Sequence, residues 1–231
     1  MAKHIGIVAC SAEGAALCYR TLCAEAPALM GEHLHPEVSM HTYPLAQYMV
    51  HIRSGNWGEV AALMRSSAEK LASIGARLAI CPDNTIHQAF DLAAAESPIS
   101  WLHIADAVAQ EAREQQYKLL GIIGTRYLMT GPVYPTRLAK NDIDCEIPEP
   151  SDREKIDQII FKELVNGIFK EESRIYFNEV IRKLKNKGCD AVVLGCTEIP
   201  LLVDPKDCPL PVLDSTRLLA RAALKESLES P

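Results

Sequence analysis

The chain has 231 residues, 48% hydrophobic and 23% charged, which is the composition of an ordinary globular protein with one large domain or two small ones. A formal net charge of −6 argues against nucleic acid or an anionic membrane as the main partner. No apolar run approaches the roughly 18 residues of a membrane span, so none is expected.

The predicted elements alternate between strand and helix. The N-terminal MAKHIGIVAC reads as a first strand, Ile5–Ala9, and not as a signal segment. Residues 12–26 follow as a helix and 38–43 as a strand. A helix over 57–74 is marked by Val60, Leu63, Met64, Ala68 and Leu71 at helical spacing. Then come a strand at 77–81, a helix at 86–95, a strand at 99–104 and a helix at 105–116. A second series opens with the strand Leu119–Ile123. It continues with a strand near 144–147, a long helical stretch over 153–187, the strand Ala191–Leu194, a strand at 211–213 and a last helix, Ser215–Leu228. Such alternation means parallel sheets with helices on both faces.

A faint internal repeat runs through this order. Lys3-His-Ile-Gly-Ile-Val resembles Lys118-Leu-Leu-Gly-Ile-Ile. About 77 residues after Gly6 a strand ends at Asp83-Asn-Thr, and about 75 after Gly121 another ends at Cys196-Thr-Glu. The expected fold is therefore α/β, with two pseudo-symmetric domains, each a parallel sheet flanked by helices. The expected division is 1–110 plus 213–231 and 111–212. Ligands of open α/β sheets bind outside the carboxyl ends of strands. The two strand-end motifs are thus expected to face each other across a cleft that holds the active site.

Eight cysteines occur without a CxxC pair, which reads as a reduced, cytoplasmic chain. No Cys/His cluster has zinc spacing, so no metal is expected, and most thiols read as small buried hydrophobes. GxGxxG and GxxxxGK[ST] are absent, which leaves a dinucleotide fingerprint and a P-loop unsupported. The charge run 182–187 reads as a solvated helix end.

Three strand ends carry polar side chains. In Leu194-Gly-Cys-Thr-Glu-Ile-Pro200 a thiol sits at the turn beyond a strand, where amides of a following helix favour its thiolate. A buried structural cysteine with a capped turn accounts for the same letters. In Leu78-Ala-Ile-Cys-Pro-Asp-Asn-Thr-Ile-His87 the proline ends the strand and releases Asp83, Asn84, Thr85 and His87. A redundant helix cap is the alternative, and on a helix His87 braces the turn as readily as it moves a proton. In Ile123-Gly-Thr-Arg-Tyr-Leu-Met-Thr130, Thr125 and the backbone amides suit an anion or a simple cap.

Together these segments resemble the aspartate/glutamate racemase family, the amino-acid racemases that need no pyridoxal phosphate. Leu194-Gly-Cys-Thr-Glu198 with Asn84-Thr-Ile-His87 before it is the specific part. Ile5-Gly-Ile-Val, Gly55-Asn-Trp57, Gly124-Thr-Arg-Tyr, the 163–167 segment Glu-Leu-Val-Asn-Gly and Asp214-Ser-Thr216 support it. The resemblance implies a cofactor-free isomerase, commonly a dimer, acting on a small amino acid with neither nucleic acid nor membrane as partner. In the family two cysteines flank the substrate Cα; one removes the α-proton and the other returns a proton to the opposite face. Carried onto this chain, Cys196 is one proton carrier. Asn84, Thr85, Thr125, Thr197 and Ser11 would hold the substrate carboxylate, and Cys81, His87 and Glu198 would support the site.

The chain departs from the pattern where it matters most. Asp83 stands where the family has its first cysteine, and Cys81 lies two residues earlier. The expected function is racemisation or epimerisation of an amino acid, with Cys196 and Asp83 on opposite faces of Cα. The alternatives are a single-thiol decarboxylase or isomerase of a carboxylic acid, or a carboxylate-binding protein without turnover. Val165 replaces the basic residue of acidic-substrate members and Leu219 a histidine, which weakens the case for aspartate or glutamate as substrate. Arg20, Arg53 or Arg126 would have to supply a replacement charge.

Overall fold

In the computed structural model, which describes residues 2–229, the short apolar runs become the strands of two parallel sheets. The first contains β1 (Ile5–Ala9), β2 (Val38–Thr42), β3 (Leu78–Ile80) and β4 (Ser100–Leu102), in the order β2-β1-β3-β4. The second contains β5 (Leu119–Ile123), β6 (Asp144–Glu146), β7 (Ala191–Leu194) and β8 (Val212–Asp214), in the order β6-β5-β7-β8. The two orders are one pattern used twice, and every pairing is parallel. The chain is thus α/β with two similar sheets flanked by helices. It separates into two compact units, dividing between Ile104 and Ala105 and again between Ser215 and Thr216. Among the described residues no helix is long and apolar enough to cross a membrane.

Burial explains the strand order. β1, β3 and β7 are buried at every position and β5 at all but its first, whereas β2, β4 and β6 are only partly covered. A central parallel strand has helices on both faces and needs a continuous apolar run. Ile-Gly-Ile-Val-Ala and Leu-Leu-Gly-Ile-Ile supply it.

The repeat is visible in the packing. In the first sheet Gly6 pairs with Ala79, and in the second Gly121 pairs with Val192. A Cβ on Gly6 would lie 3.1 Å from Leu71 Cδ1, and one on Gly121 would lie 2.9 Å from Leu184 Cδ1. Leu71 is eight residues before Ala79, and Leu184 is eight before Val192. Each unit therefore seats a leucine of the helix before its third strand directly on a glycine of its central strand.

Those two helices are Trp57–Ser73 and Glu171–Asn186. The first buries Val60, Ala61, Met64, Ser67, Ala68 and Leu71, one face at helical spacing. Asn56 caps it, its side chain accepting from the Glu59 amide at 3.3 Å.

Two expectations are corrected. The stretch over 153–187 is two helices, Pro150–Lys162 and Glu171–Asn186, separated by a 3-10 turn at Leu164–Asn166 and by Gly167 at φ 70°. The Glu163 carboxylate fixes the restart, accepting from Ser173 Oγ at 2.6 Å and Lys170 Nζ at 2.9 Å. An additional helix, Leu45–Ser54, occupies residues for which no element was expected. It buries only Tyr48 and Ile52, too few positions to write a period into the sequence.

Adding a methyl group where the leucine rests should overpack the core. Gly121→Ala is expected to destabilise the protein by about 1–3 kcal/mol, and Gly6→Ala by less. In a Leu184→Ala background the same Gly121→Ala change should cost less than it does alone. Urea unfolding midpoints check all three.

Candidate active site

In the first unit most of the candidate side chains follow β3. The ladder stops at Ile80 because Pro82 has no N–H to donate. Asp83 then caps the turn that follows: its Oδ1 accepts from the Ile86 amide at 3.2 Å, opening a 3-10 helix at Thr85–Ala89 that runs into the helix Phe90–Ala95. The expected single helix over 86–95 is this tandem. His87 braces the turn, with Nε2 donating to the Cys81 carbonyl oxygen at 3.0 Å. Its ring stacks on Phe90 at 5.3 Å and meets His103 edge-on at 4.5 Å. Asn84 and Thr85 are buried in the same turn, while Asp83 is only half-buried. Ser11, beyond β1, caps the helix Ala12–Glu25 by accepting from the Gly14 amide at 3.3 Å.

Cys81 is fully buried. Burial first, and then the neighbouring Asp83 carboxylate, push its thiol well above the ordinary cysteine value. A thiol held protonated in this way is a poor base.

In the second unit the ends of β5 and β7 meet through two glycines. A Cβ on Gly124 would lie 2.9 Å from Gly195 O, and one on Gly195 would lie 2.9 Å from Ile123 O and collide with Leu128 Cδ2. The Gly195 amide donates to Ile123 O at 2.7 Å. Only residues without a Cβ permit this approach, and Thr125 and Cys196 are the next residues along each segment. Thr125 caps the short helix Arg126–Met129, accepting from the Leu128 amide at 3.2 Å. Cys196 is 9% exposed, and its Sγ donates to Glu198 Oε2 at 2.9 Å. Thr197 Oγ1 donates to the same oxygen at 3.2 Å. Glu198 is 2% exposed, and its Oε1 has no hydrogen-bond partner among the described residues. A buried carboxylate holding a thiol proton and presenting a second, unused oxygen is equipped to accept a proton. The serine that opens the last helix secures this strand end, with Ser215 Oγ donating to Leu194 O at 2.9 Å.

The register relates the two strand ends. Asp83 is four residues beyond Ala79, the partner of Gly6, and Cys196 is four beyond Val192, the partner of Gly121. Asp83 and Cys196 thus hold the same place in their respective sheets. Cys81 corresponds instead to Leu194, the last residue of β7.

The expected substitute cations are elsewhere occupied or exposed. Arg20 and Arg53 are exposed on helices of the first unit, and Arg126 donates to Tyr127 OH at 2.9 Å. Val165 packs against the core of the second unit and Leu219 lies in that of the first. Among the described residues no group of three or more His, Cys, Asp or Glu side chains comes together as a metal site. No motif or spacing points to Tyr48, whose buried hydroxyl lies within electrostatic reach of Cys81, Cys10 and Asp83.

Comparison with known proteins places these features in a wider set. Residues 5–223 match the family model described as Asp/Glu/Hydantoin racemase. The crystal structure of a Yersinia pestis protein described as a candidate Asp/Glu racemase is 33% identical, with TM-score 0.89, covering 98% of this chain and 100% of that one. An aspartate racemase homologue from Pyrococcus horikoshii OT3 is 25% identical, with TM-score 0.84, over 99% and 100% of the two chains. A Francisella tularensis glutamate racemase solved with D-glutamate shares the fold at 14% identity and TM-score 0.71, over 97% of this chain and 80% of that one.

Thiol reactivity should follow these surroundings. Under native conditions at about pH 8, iodoacetamide is expected to modify Cys81 at least about tenfold more slowly than the half-buried Cys23. Time-resolved peptide mass spectrometry checks this, and equal rates would return Cys81 to consideration as a base.

Proposed function

The chain belongs to the Asp/Glu/Hydantoin racemase family, and on that footing we propose that it inverts an amino acid at Cα without a cofactor, using Cys196 and Asp83 on opposite faces of that carbon. The observation that carries this reading is the shared register: two side chains able to carry a proton stand four residues beyond equivalent strand pairs in two sheets of the same topology. Inversion by proton transfer needs an acid and a base on opposite sides of one carbon, held close to it.

The steps follow from the groups present. Glu198 accepts the Cys196 proton along the 2.9 Å hydrogen bond, and the thiolate removes the α-proton. Asp83, as the carboxylic acid, delivers a proton to the opposite face. The carbanion forms beside the substrate carboxylate, whose growing negative charge calls for hydrogen-bond donors. Asn84, Thr85 and Thr197 are the buried donors nearest in sequence to the two carriers, and Thr125 and Ser11 cap the neighbouring strand ends. His87 braces the Asp83 turn, its Nε2 donating to the Cys81 carbonyl.

The carriers are chemically unequal. A free aspartate has a pKa of about 3.9 and a free cysteine about 8.5. The thiolate is therefore the better base, and the carboxyl group the better donor. For a pair of enantiomers the equilibrium constant is one, so kcat/KM is the same in both directions and the inequality appears in kcat and KM separately. Val165 and Leu219 offer no charge to a second carboxylate, which favours an uncharged side chain on the substrate.

The test is α-deuterium incorporation in D2O across a panel of L- and D-amino acids. Exchange is expected with at least one uncharged amino acid, and its absence throughout would sink the reading. Cys196→Ala should lower the rate at least about 100-fold, as loss of a general acid–base group does. Asp83→Cys, which restores a thiol at that position, should retain activity where Asp83→Asn loses it.

A further inference from the structure

The first unit carries a hollow that the proposed chemistry leaves unused. Its volume is about 390 Å³. It is lined by Ala24 and Glu25 of the helix Ala12–Glu25, by Ala28 and Leu29 of the short helix Pro27–Met30, and by Arg221 and Leu224 of the helix Ser215–Leu228. That size lies at the small end of ligand pockets, which run from about 300 to about 1,000 Å³. The local sequence explains the room. The first helix passes through Ala26, whose backbone stays helical, directly into the second, which Pro27 opens. Ala24 and Ala28, on either side of this junction, have only a methyl group to put into the space. Leu224 is buried and belongs to the core beneath β1, so it forms the floor. Leu29 is 61% exposed and stands at the rim.

The polar part of the wall is one ion pair. Arg221 Nε and Nη2 donate to Glu25 Oε2 and Oε1 at 2.8 and 2.9 Å, joining helices 196 residues apart in sequence. The two side chains are 53% and 37% exposed. A positive and a negative group thus stand side by side at the edge of an apolar space. A free amino acid has the matching arrangement, with carboxylate, ammonium and side chain on one carbon. A fatty acid would bring its charge against Glu25, and an alkylamine against Arg221; a zwitterion answers both. A carboxylate offers about four lone-pair sites, and Arg221 takes one on each oxygen of Glu25. Glu25 can therefore keep Arg221 and still accept from an ammonium. An exposed ion pair is weak enough to rearrange, and a guanidinium takes a carboxylate through paired N–H donors.

We propose that this hollow binds a free amino acid with an apolar side chain, its ammonium on Glu25, its carboxylate on Arg221 and its side chain against Ala24, Ala28, Leu29 and Leu224. None of the residues assigned to proton transfer or to the substrate carboxylate lines it. The inference therefore stands whether or not the chain racemises amino acids. Binding would draw the junction between the first two helices against the last helix, through contacts to both members of the pair that already joins them.

The probe is L-leucine, titrated into the full chain carrying labelled leucine methyl groups and followed by NMR. The Leu29 and Leu224 methyl resonances are expected to shift together and to saturate, with Kd below about 10 mM. Two analogues remove one charge each: leucinamide lacks the carboxylate, and 4-methylpentanoate lacks the ammonium. Each is expected to bind at least about tenfold more weakly, because it leaves one member of the Arg221–Glu25 pair unanswered. Ala28→Leu, at an exposed position, fills the hollow and should abolish the saturable shift. Arg221→Met should weaken leucine binding at least about tenfold, and it keeps the test available if the Ala28 variant fails to fold. Three results would each overturn the proposal: no saturable shift at these two leucines, equal affinity for all three ligands, or leucine binding unchanged in the variants.

Discussion

A parallel pair of strands buried on both faces tolerates one register where a packed helix leaves room only for a glycine, because a slip of a single residue puts a larger side chain there. β1–β3 and β5–β7 are such pairs, and in each the register is held by a leucine lying against a glycine of the central strand. The helix, the strand it leads into and the turn beyond are thereby set as one piece. The distance from the glycine contact to the strand-end turn is then fixed by covalent geometry. Asp83 and Cys196 inherit their positions from packing that lies well below them in the sheet, at residues with no chemistry of their own.

This dependence explains what could be read from the letters and what could not. Ile-Gly-Ile-Val-Ala and Ala-Val-Val-Leu announce buried strands because both faces are apolar, and the strand-end motifs are visible because proline or glycine stops the run. Counting from Gly6 and Gly121, the two motifs differ by about two residues, which makes the repeat look imperfect. The pairing of Gly6 with Ala79 and Gly121 with Val192 places that difference upstream of β3 and β7, so beyond the pairs the counts agree. The Leu45–Ser54 helix was illegible because two buried residues make no pattern. The break at Gly167 was hidden because apolar spacing continues on both sides of it, and the carboxylate of Glu163 that fixes the restart acts through side chains. The bond between Cys196 and Glu198 needs a backbone turn that no spacing rule specifies.

The two halves share a frame but differ in what surrounds the equivalent positions. Cys196 donates its thiol hydrogen to a buried carboxylate, that of Glu198. Asp83 is tied to the amide of its own turn, and the nearest thiol sits one strand repeat deeper, fully enclosed and held protonated. A carboxyl group and a thiol at equivalent strand ends differ in how readily they give up a proton, while the strand pairs beneath them are alike. Duplicated architecture allows this: one copy can alter its chemistry while the register of both is preserved by the same glycine–leucine contact.

The last helix adds a constraint of a different kind. Lys3 and Glu226 form an ion pair across 223 residues of chain, Lys3 N–H donates to Ser227 O at 2.8 Å, and Leu219, Ala220, Ala223 and Leu224 complete the core beneath β1. The second unit, by contrast, is continuous in sequence. During synthesis from the N-terminus, the first unit emerges early but lacks one wall until the helix Ser215–Leu228, beyond the whole second unit, has left the ribosome. The second unit has all its residues available before that. The order of synthesis is thus the reverse of the order in which the two cores can close, and the first unit must wait with its apolar face uncovered, the condition in which a nascent chain most needs a chaperone.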